Sequence, residues 1–238
     1  MKTKRIEILI PKGRKLIEGF ATSLMGLLLN AQHNDSYTLG ITMKEQPFVT
    51  DEFDNSKYQR IAEAREALVE DAISNDVDYI LFLDDDTVFP ANCLDTMLGH
   101  DVDFISGINF AKKVPYMPTQ FTSHYTKLED GTINQRYKHI LDYPEDLIEV
   151  EGVGLFCALI KTEAIKKLRH PYFSSPELDL ASHIGEDISF SRRFWEAGLK
   201  IHVDTRIKCG HIFGDVMVTE KDFLANKELA KEYYAKLQ

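Results

Sequence analysis

Residues Tyr79-Ile80-Leu81-Phe82-Leu83-Asp84-Asp85-Asp86 pass from a continuous apolar run straight into three successive carboxylates. Five apolar residues without polar alternation suit a strand buried on both faces of a sheet. Three adjacent aspartates repel one another and resist desolvation, so they belong where the strand ends and solvent begins. In an open α/β sheet the carboxyl edge of the strands is where ligands bind, and a hard divalent cation takes carboxylate oxygens as ligands. A solvated acidic turn that helps cap the next helix is the alternative reading of the same residues.

The segments around this strand alternate. Ile6–Ile10 reads as a first strand closed by Pro11-Lys12-Gly13-Arg14, Leu16–Ala31 as a helix, and Tyr37–Met43 as a second strand. Lys57–Ser74 forms a helix with Ile61, Ala64, Leu68, Val69 and Ala72 on one arc. After the aspartates come a helix opened by Pro90 and a strand over Val102–Ser106. This order predicts an α/β fold whose central, mostly parallel sheet is flanked by helices. Residues 107–150 lack helical period and read as short antiparallel strands and loops. Then follow a strand over Val153–Ile160, a Thr162-capped helix, a helix over Glu186–Ala197, a strand over Lys200–Val203 and an amphipathic helix over Thr219–Gln238.

A chain of 238 residues can bury a sizeable core, and a single domain is expected, with a nucleotide-binding half over 1–106, an acceptor and catalytic half over 107–213 and a helical tail over 214–238. The net charge of −10 argues against general adhesion to nucleic acid or anionic lipid. Cys93, Cys157 and Cys209 are odd in number and widely spaced, which suits reduced thiols and a cytoplasmic protein (in the host cytoplasm, were the source viral). The apolar stretch Ile6–Ile10 is far too short for a signal-peptide core, and no stretch reaches the length of a membrane span.

Further groups carry possible chemistry. Gly185-Glu186-Asp187 opens a helix, and on a helical wheel Asp187 shares its face with Phe190, Ser191, Phe194 and Trp195. An inward carboxylate at a helix start suits a general base, and equally an amino-terminal acidic cap. His211, in Cys209-Gly210-His211, is a candidate companion to carboxylate on Mn²⁺. Arg65 lies in the middle of an apolar arc, so it either pairs with Glu66 or Asp84 or reaches a diphosphate or base.

Taken in order, these pieces resemble metal-dependent glycosyltransferases of the GT-A (Rossmann-like) fold, closest to family 2 and its small viral and phage-like members. The resemblance spans about residues 5–213. It rests on Ile8-Leu9-Ile10-Pro11, Ala64-Arg65, Asp78 to Asp86, Ile105-Ser106-Gly107, Gly152-Val153-Gly154, Gly185 to Phe190, Gly198 to Thr205 and Cys209-Gly210-His211. It implies that Asp84 and Asp86 form the D-x-D pair, Asp86 on Mn²⁺ or Mg²⁺ and Asp84 on the ribose or a metal-bound water. His211 would complete the metal site, so that Asp84, Asp86 and His211 converge on one divalent ion. Asp187 would be the base, with Glu186 beside it. Pro11, Arg14, Arg65 and Asp85 would meet the nucleotide, and Gly107 and Gly154 the donor sugar and acceptor.

The implied reaction moves a sugar from a UDP- or GDP-sugar to an acceptor hydroxyl with inversion. Nucleic acid would enter only as a modified-base acceptor. Such sequences commonly have Asn after the Ala-Arg pair, where this chain has Glu66. A nucleotidyltransferase or pyrophosphorylase is the alternative enzyme, although Pro11-Lys12-Gly13-Arg14 is no Gly-rich phosphate loop. A non-catalytic nucleotide-sugar-binding module is the third reading, and it predicts lost acidic motifs where this chain keeps them.

Overall fold

A computed structural model of the protein describes residues 3–13, 16–45, 56–127, 133–173 and 185–235. Its first part runs β1 (Lys4–Lys12), α1 (Glu18–Ala31), β2 (Tyr37–Glu45), α2 (Ser56–Ser74), β3 (Tyr79–Leu83), β4 (Thr87–Val88), α3 (Cys93–Gly99) and β5 (Phe104–Ile108). The chain continues through β6 (Gln120–Lys127), β7 (Ile133–His139), β8 (Leu147–Val150), β9 (Gly152–Val153), β10 (Cys157–Lys161) and α4 (Thr162–Ile165). It closes with α5 (Glu186–Glu196), β11 (Ile201–Lys208), β12 (Gly210–Phe213), β13 (Val216–Val218), α6 (Glu220–Ala225) and α7 (Lys227–Ala235).

All five residues of β3 are buried, as the unbroken apolar run requires. Alternate side chains enter two cores. Ile80 and Phe82 pack with Leu68 and Val69 of α2 and with Phe190 and Phe194 of α5. Leu81 and Leu83 pack with Phe20 and Leu24 of α1 and Leu94 and Met97 of α3. Each fully buried side chain of this size contributes about 1.5–3 kcal/mol, so helices on both faces hold the strand in place.

The seven-stranded sheet has the order β2-β1-β3-β10-β5-β11-β8. Strands β1, β2, β3, β5 and β11 share one direction, while β10 and β8 oppose them. Strand β10 inserts antiparallel between β3 and β5, a placement the sequence pattern does not signal. An apolar run buried on both faces reads alike in either direction, so composition cannot orient it. Two three-stranded sheets, β13-β12-β4 and β7-β6-β9, complete the strand pairing among the described residues.

Several local expectations are corrected. Trp195 is 46% exposed, because α5 faces the core with Phe190 and Phe194 instead. Thr162 starts α4 without capping it: Lys161 is the cap residue, and the Thr162 hydroxyl has no hydrogen-bond partner. Helix α3 begins at Cys93, three residues beyond Pro90. The segment after residue 213 is not helical throughout, since it opens with β13. Its helical part breaks at Asn226, which leaves helical geometry, and Thr219 caps α6 through Asp222.

Strand β11 leads to His211, and a buried charge fixes it. Asp204 has no exposed surface; it accepts hydrogen bonds from the backbone N–H of Arg206 (3.0 Å) and the Arg206 guanidinium (2.8 Å), and contacts His100 Nε2 at 2.8 Å. His100 follows α3, so the contact ties that helix to the strand. Burial opposes ionisation of Asp204, but Arg206 and His100 outweigh it and hold its pKa at about 2. Depression below the ordinary aspartate value means that this stabilisation is complete above about pH 4 and lost as pH falls through 2. Asp204→Asn should therefore destabilise the fold by about 2–3 kcal/mol at pH 7. Thermal melts should show that deficit shrinking toward pH 2, where the wild-type carboxyl is itself protonated.

Candidate active site

The parallel strands β1, β3 and β5 end at one edge of the sheet, and Asp84, Asp85 and Asp86 emerge there half-buried. The backbone N–H of Asp84 donates to the Phe156 carbonyl at 3.0 Å, and that of Thr87 to the Asp84 carbonyl at 3.1 Å. The turn sends each carboxylate to a different partner.

Asp84 faces inward. Both of its oxygens accept hydrogen bonds from one Arg65 nitrogen, at 2.7 and 2.9 Å. Arg65 is 3% exposed, its other terminal nitrogen is 3.2 Å from Glu186 Oε1, and its guanidinium lies 5.9 Å from the Phe82 ring centre. A buried guanidinium thus joins a carboxylate from β3 to one from the start of α5. Burial raises the pKa of Asp84 to about 6 even against the pull of Arg65. Burial likewise raises Glu186, which Arg65 opposes and neighbouring Asp187 reinforces.

Asp85 accepts the backbone N–H of Gly13 at 2.5 Å, which brings the end of β1 against the turn. Pro11 is buried near that end, and Arg14 lies outside the described residues.

Asp86 faces β12. The two-residue strand β4 pairs with β12 so that His211 stands opposite Thr87, and the Ile212 N–H donates to the Asp86 carbonyl at 2.7 Å. His211 Nε2 is then 3.5 Å from Asp86 Oδ2. Its other nitrogen, Nδ1, is 2.8 Å from the Phe110 carbonyl and must carry the proton there. That leaves the Nε2 lone pair beside a carboxylate oxygen in the neutral ring. Carboxylate oxygen and imidazole nitrogen are both ligands that Mn²⁺ accepts, and a carbonyl holding the far nitrogen is the usual outer support of a metal-bound histidine. Asp86 and His211 therefore fit a divalent cation. Asp84, whose oxygens are turned to Arg65, stands behind them.

Lys112, which the sequence reading passed over, also reaches Asp86: its Nζ is 2.5 Å from the same Oδ2. Burial would raise Asp86, but His211 protonated on both nitrogens, together with Lys112, holds its pKa at about 2. The available signal was positional. Lys112 follows a strand whose carboxyl end shares the sheet edge with the aspartates.

Asp187 sits half-buried at the start of α5. The helix is fixed from below: Phe194 lies 5.0 Å from Phe104, and Phe190 stacks on Phe173 at 4.4 Å. Glu66, the departure from the family pattern, serves this packing, because its carboxylate accepts the N–H groups of Tyr172 and Phe173 at 2.8 and 2.7 Å. Asp187 Oδ1 accepts the Ile188 N–H at 2.7 Å within the first turn of α5, whose cap residue is Gly185. Asp187 Oδ2 faces Gly154, where an added Cβ would come to 3.4 Å. Burial raises the Asp187 pKa, and Arg65 opposes that rise. Gly107 lies within buried β5, where a Cβ would meet the Ile207 carbonyl at 2.8 Å, so the glycine permits close strand packing.

No protein-family model and no curated protein sequence matches this chain. Similar chains are found among solved structures, and A197 from STIV shares the fold. A197 from STIV is 16% identical and superposes with a TM-score of 0.57 over 92% of both chains. A glycosyltransferase involved in glycosylation of the major capsid of PBCV-1 is 12% identical, with a TM-score of 0.35 over 95% of this chain and 98% of that one. The inositol-1-phosphate CTP transferase from T. maritima is 9% identical, with a TM-score of 0.46 over 97% and 98%. At such identities the likeness concerns the fold. The chain has the Rossmann-like α/β architecture of a GT-A domain, and no helix among the described residues is long and apolar enough to cross a membrane.

Proposed function

We propose that the protein is a metal-dependent glycosyltransferase that moves a sugar from a UDP- or GDP-sugar to an acceptor hydroxyl, with inversion. The observation that carries this reading is the division of labour among carboxylates at one sheet edge. Asp86 stands with His211 where a cation would be held, while Asp187, on another element, turns its Oδ2 toward Gly154. A divalent ion held there would supply positive charge to the departing nucleoside diphosphate. Asp84 and Arg65 would fix the orientation of the Asp86 turn. Asp187 would accept the proton of the acceptor hydroxyl at Oδ2 while Oδ1 remains bound to the helix N–H, which holds the carboxylate in one orientation.

The nucleotidyltransferase alternative predicts a different product. Release of a nucleoside diphosphate with transfer of the sugar supports the glycosyltransferase reading; formation of a nucleotide-sugar from a nucleoside triphosphate and a sugar phosphate refutes it. Titration calorimetry with UDP and GDP, with and without Mn²⁺, should show nucleotide binding that strengthens with the metal and loses that gain in Asp86→Asn. Metal-independent binding would remove the cation from the mechanism.

Asp187→Asn keeps the hydrogen-bonding shape and removes basicity, so it should lower transfer by on the order of 10²–10⁴ while sparing nucleotide binding. A base acts when deprotonated, so the wild-type rate should rise with pH through the Asp187 pKa. Because burial raises that pKa, the acid limb of kcat/KM should lie above the ordinary aspartate value of 3.8. Near-wild-type transfer by the variant, or product with retained anomeric configuration, would overturn the assignment.

A further inference from the structure

Lys112 belongs to the loop that leaves β5, and the stem of that loop is fixed. Phe110 and Pro118 form a bridge, the Ala111 N–H donates to the Met117 carbonyl at 2.8 Å, and the Tyr116 N–H donates to the Lys113 carbonyl at 2.7 Å. The backbone of Lys112 is thereby held at the sheet edge. Its side chain is not enclosed: about a third of it is exposed, and it runs beside the exposed ring of Phe213, 6.0 Å from the ring centre. The ammonium ends 2.5 Å from Asp86 Oδ2, the oxygen that also lies 3.5 Å from His211 Nε2. An ammonium at that point and a divalent ion shared by Asp86 and His211 would compete for the same carboxylate oxygen.

We propose that Lys112 is a resident cation that neutralises Asp86 in the free protein, yields that carboxylate to the divalent ion and then binds the diphosphate of the donor. The inference rests on the nucleotide-sugar reading above and adds a residue to it. Charge balance favours the transfer. A departing nucleoside diphosphate carries about three negative charges at neutral pH, more than one divalent ion offsets, while the ion itself shares Asp86. A lysine released from Asp86 by the ion is left without its carboxylate, beside new negative charge. Its flexible stem allows a move that a rigid guanidinium would not. Arg65 is the contrasting case, buried and committed to Asp84 and Glu186.

The test measures binding and needs neither the donor base nor the acceptor. Mn²⁺ alone is titrated into wild type, Lys112→Met, Lys112→Arg and Asp86→Asn, and inorganic pyrophosphate is then titrated into the Mn²⁺-loaded proteins. Asp86→Asn accounts for Mn²⁺ held elsewhere, for instance by Glu66, Glu70 and His170, whose ligand atoms lie within 4.8 Å of one another. Lys112→Met should bind Mn²⁺ about fivefold more tightly at the Asp86-dependent site, because a competing ion pair has gone. It should bind pyrophosphate about tenfold more weakly, whereas Lys112→Arg should keep most of that affinity. Unchanged or weakened Mn²⁺ affinity in Lys112→Met, or unchanged pyrophosphate affinity, overturns the role of Lys112 and leaves the metal reading standing. No Asp86-dependent Mn²⁺ binding in wild type overturns both.

Discussion

The arrangement of the site depends on a buried cation. Arg65 lies on α2 beneath the sheet edge, and its guanidinium holds Asp84 at the end of β3 and Glu186 at the start of α5. Without that charge, the two carboxylates and Asp187 would share a poorly solvated volume, which drives protonation or separation. With it, they are held on one side of the turn, and Asp86 is left to point the other way. The pairing is not a strong source of stability in itself, since burying ions costs about as much as their attraction returns. Its effect is geometric: it fixes the separation between the candidate cation site and the candidate base.

The strands supply the rest of that geometry. Placing β10 antiparallel between β3 and β5 spaces two parallel strand ends and allows the loop after each to face the same region. The loop after β3 carries the aspartates, and the loop after β5 carries Lys112 and the Phe110 carbonyl that orients His211. The short pairing of β4 with β12 then brings a histidine of β12, just after β11, back to a carboxylate over a hundred residues earlier. Asp204, bound to His100 and Arg206, anchors β11 before that return.

What the sequence disclosed follows from the length scale of each signal. The apolar run of β3, the face of α2 with Arg65 at its centre and the acidic start of α5 are local patterns, and each element lies close to its expected bounds. The alternation of strands and helices indicated the α/β class. Long-range partners were less legible. Arg65 was read as inward-facing with Asp84 as one possible partner, but nothing local linked it to Glu186. The orientation of β10 is invisible to composition. The meeting of His211 with Asp86 depends on a two-residue strand too short to have a pattern. Lys112 looked like any surface lysine, and Trp195 looked buried because a helical wheel ranks angle without showing which part of the arc meets the core.

An acidic chain that is to bind an anionic donor, as proposed for this one, must keep its positive charge local. The −10 balance offers no general attraction to a diphosphate, so selectivity rests on where single cations sit. Arg65 is spent internally: at 3% exposure it organises carboxylates and has little surface left for a ligand. Lys112 is the reverse, partly exposed and paired with the one aspartate of the turn that also faces an imidazole. A fixed inner cation and a movable outer one divide the work that a rigid site would need several buried charges to perform. That division explains how three successive aspartates can persist at one strand end: each faces a different partner, a guanidinium, a backbone N–H and an ammonium.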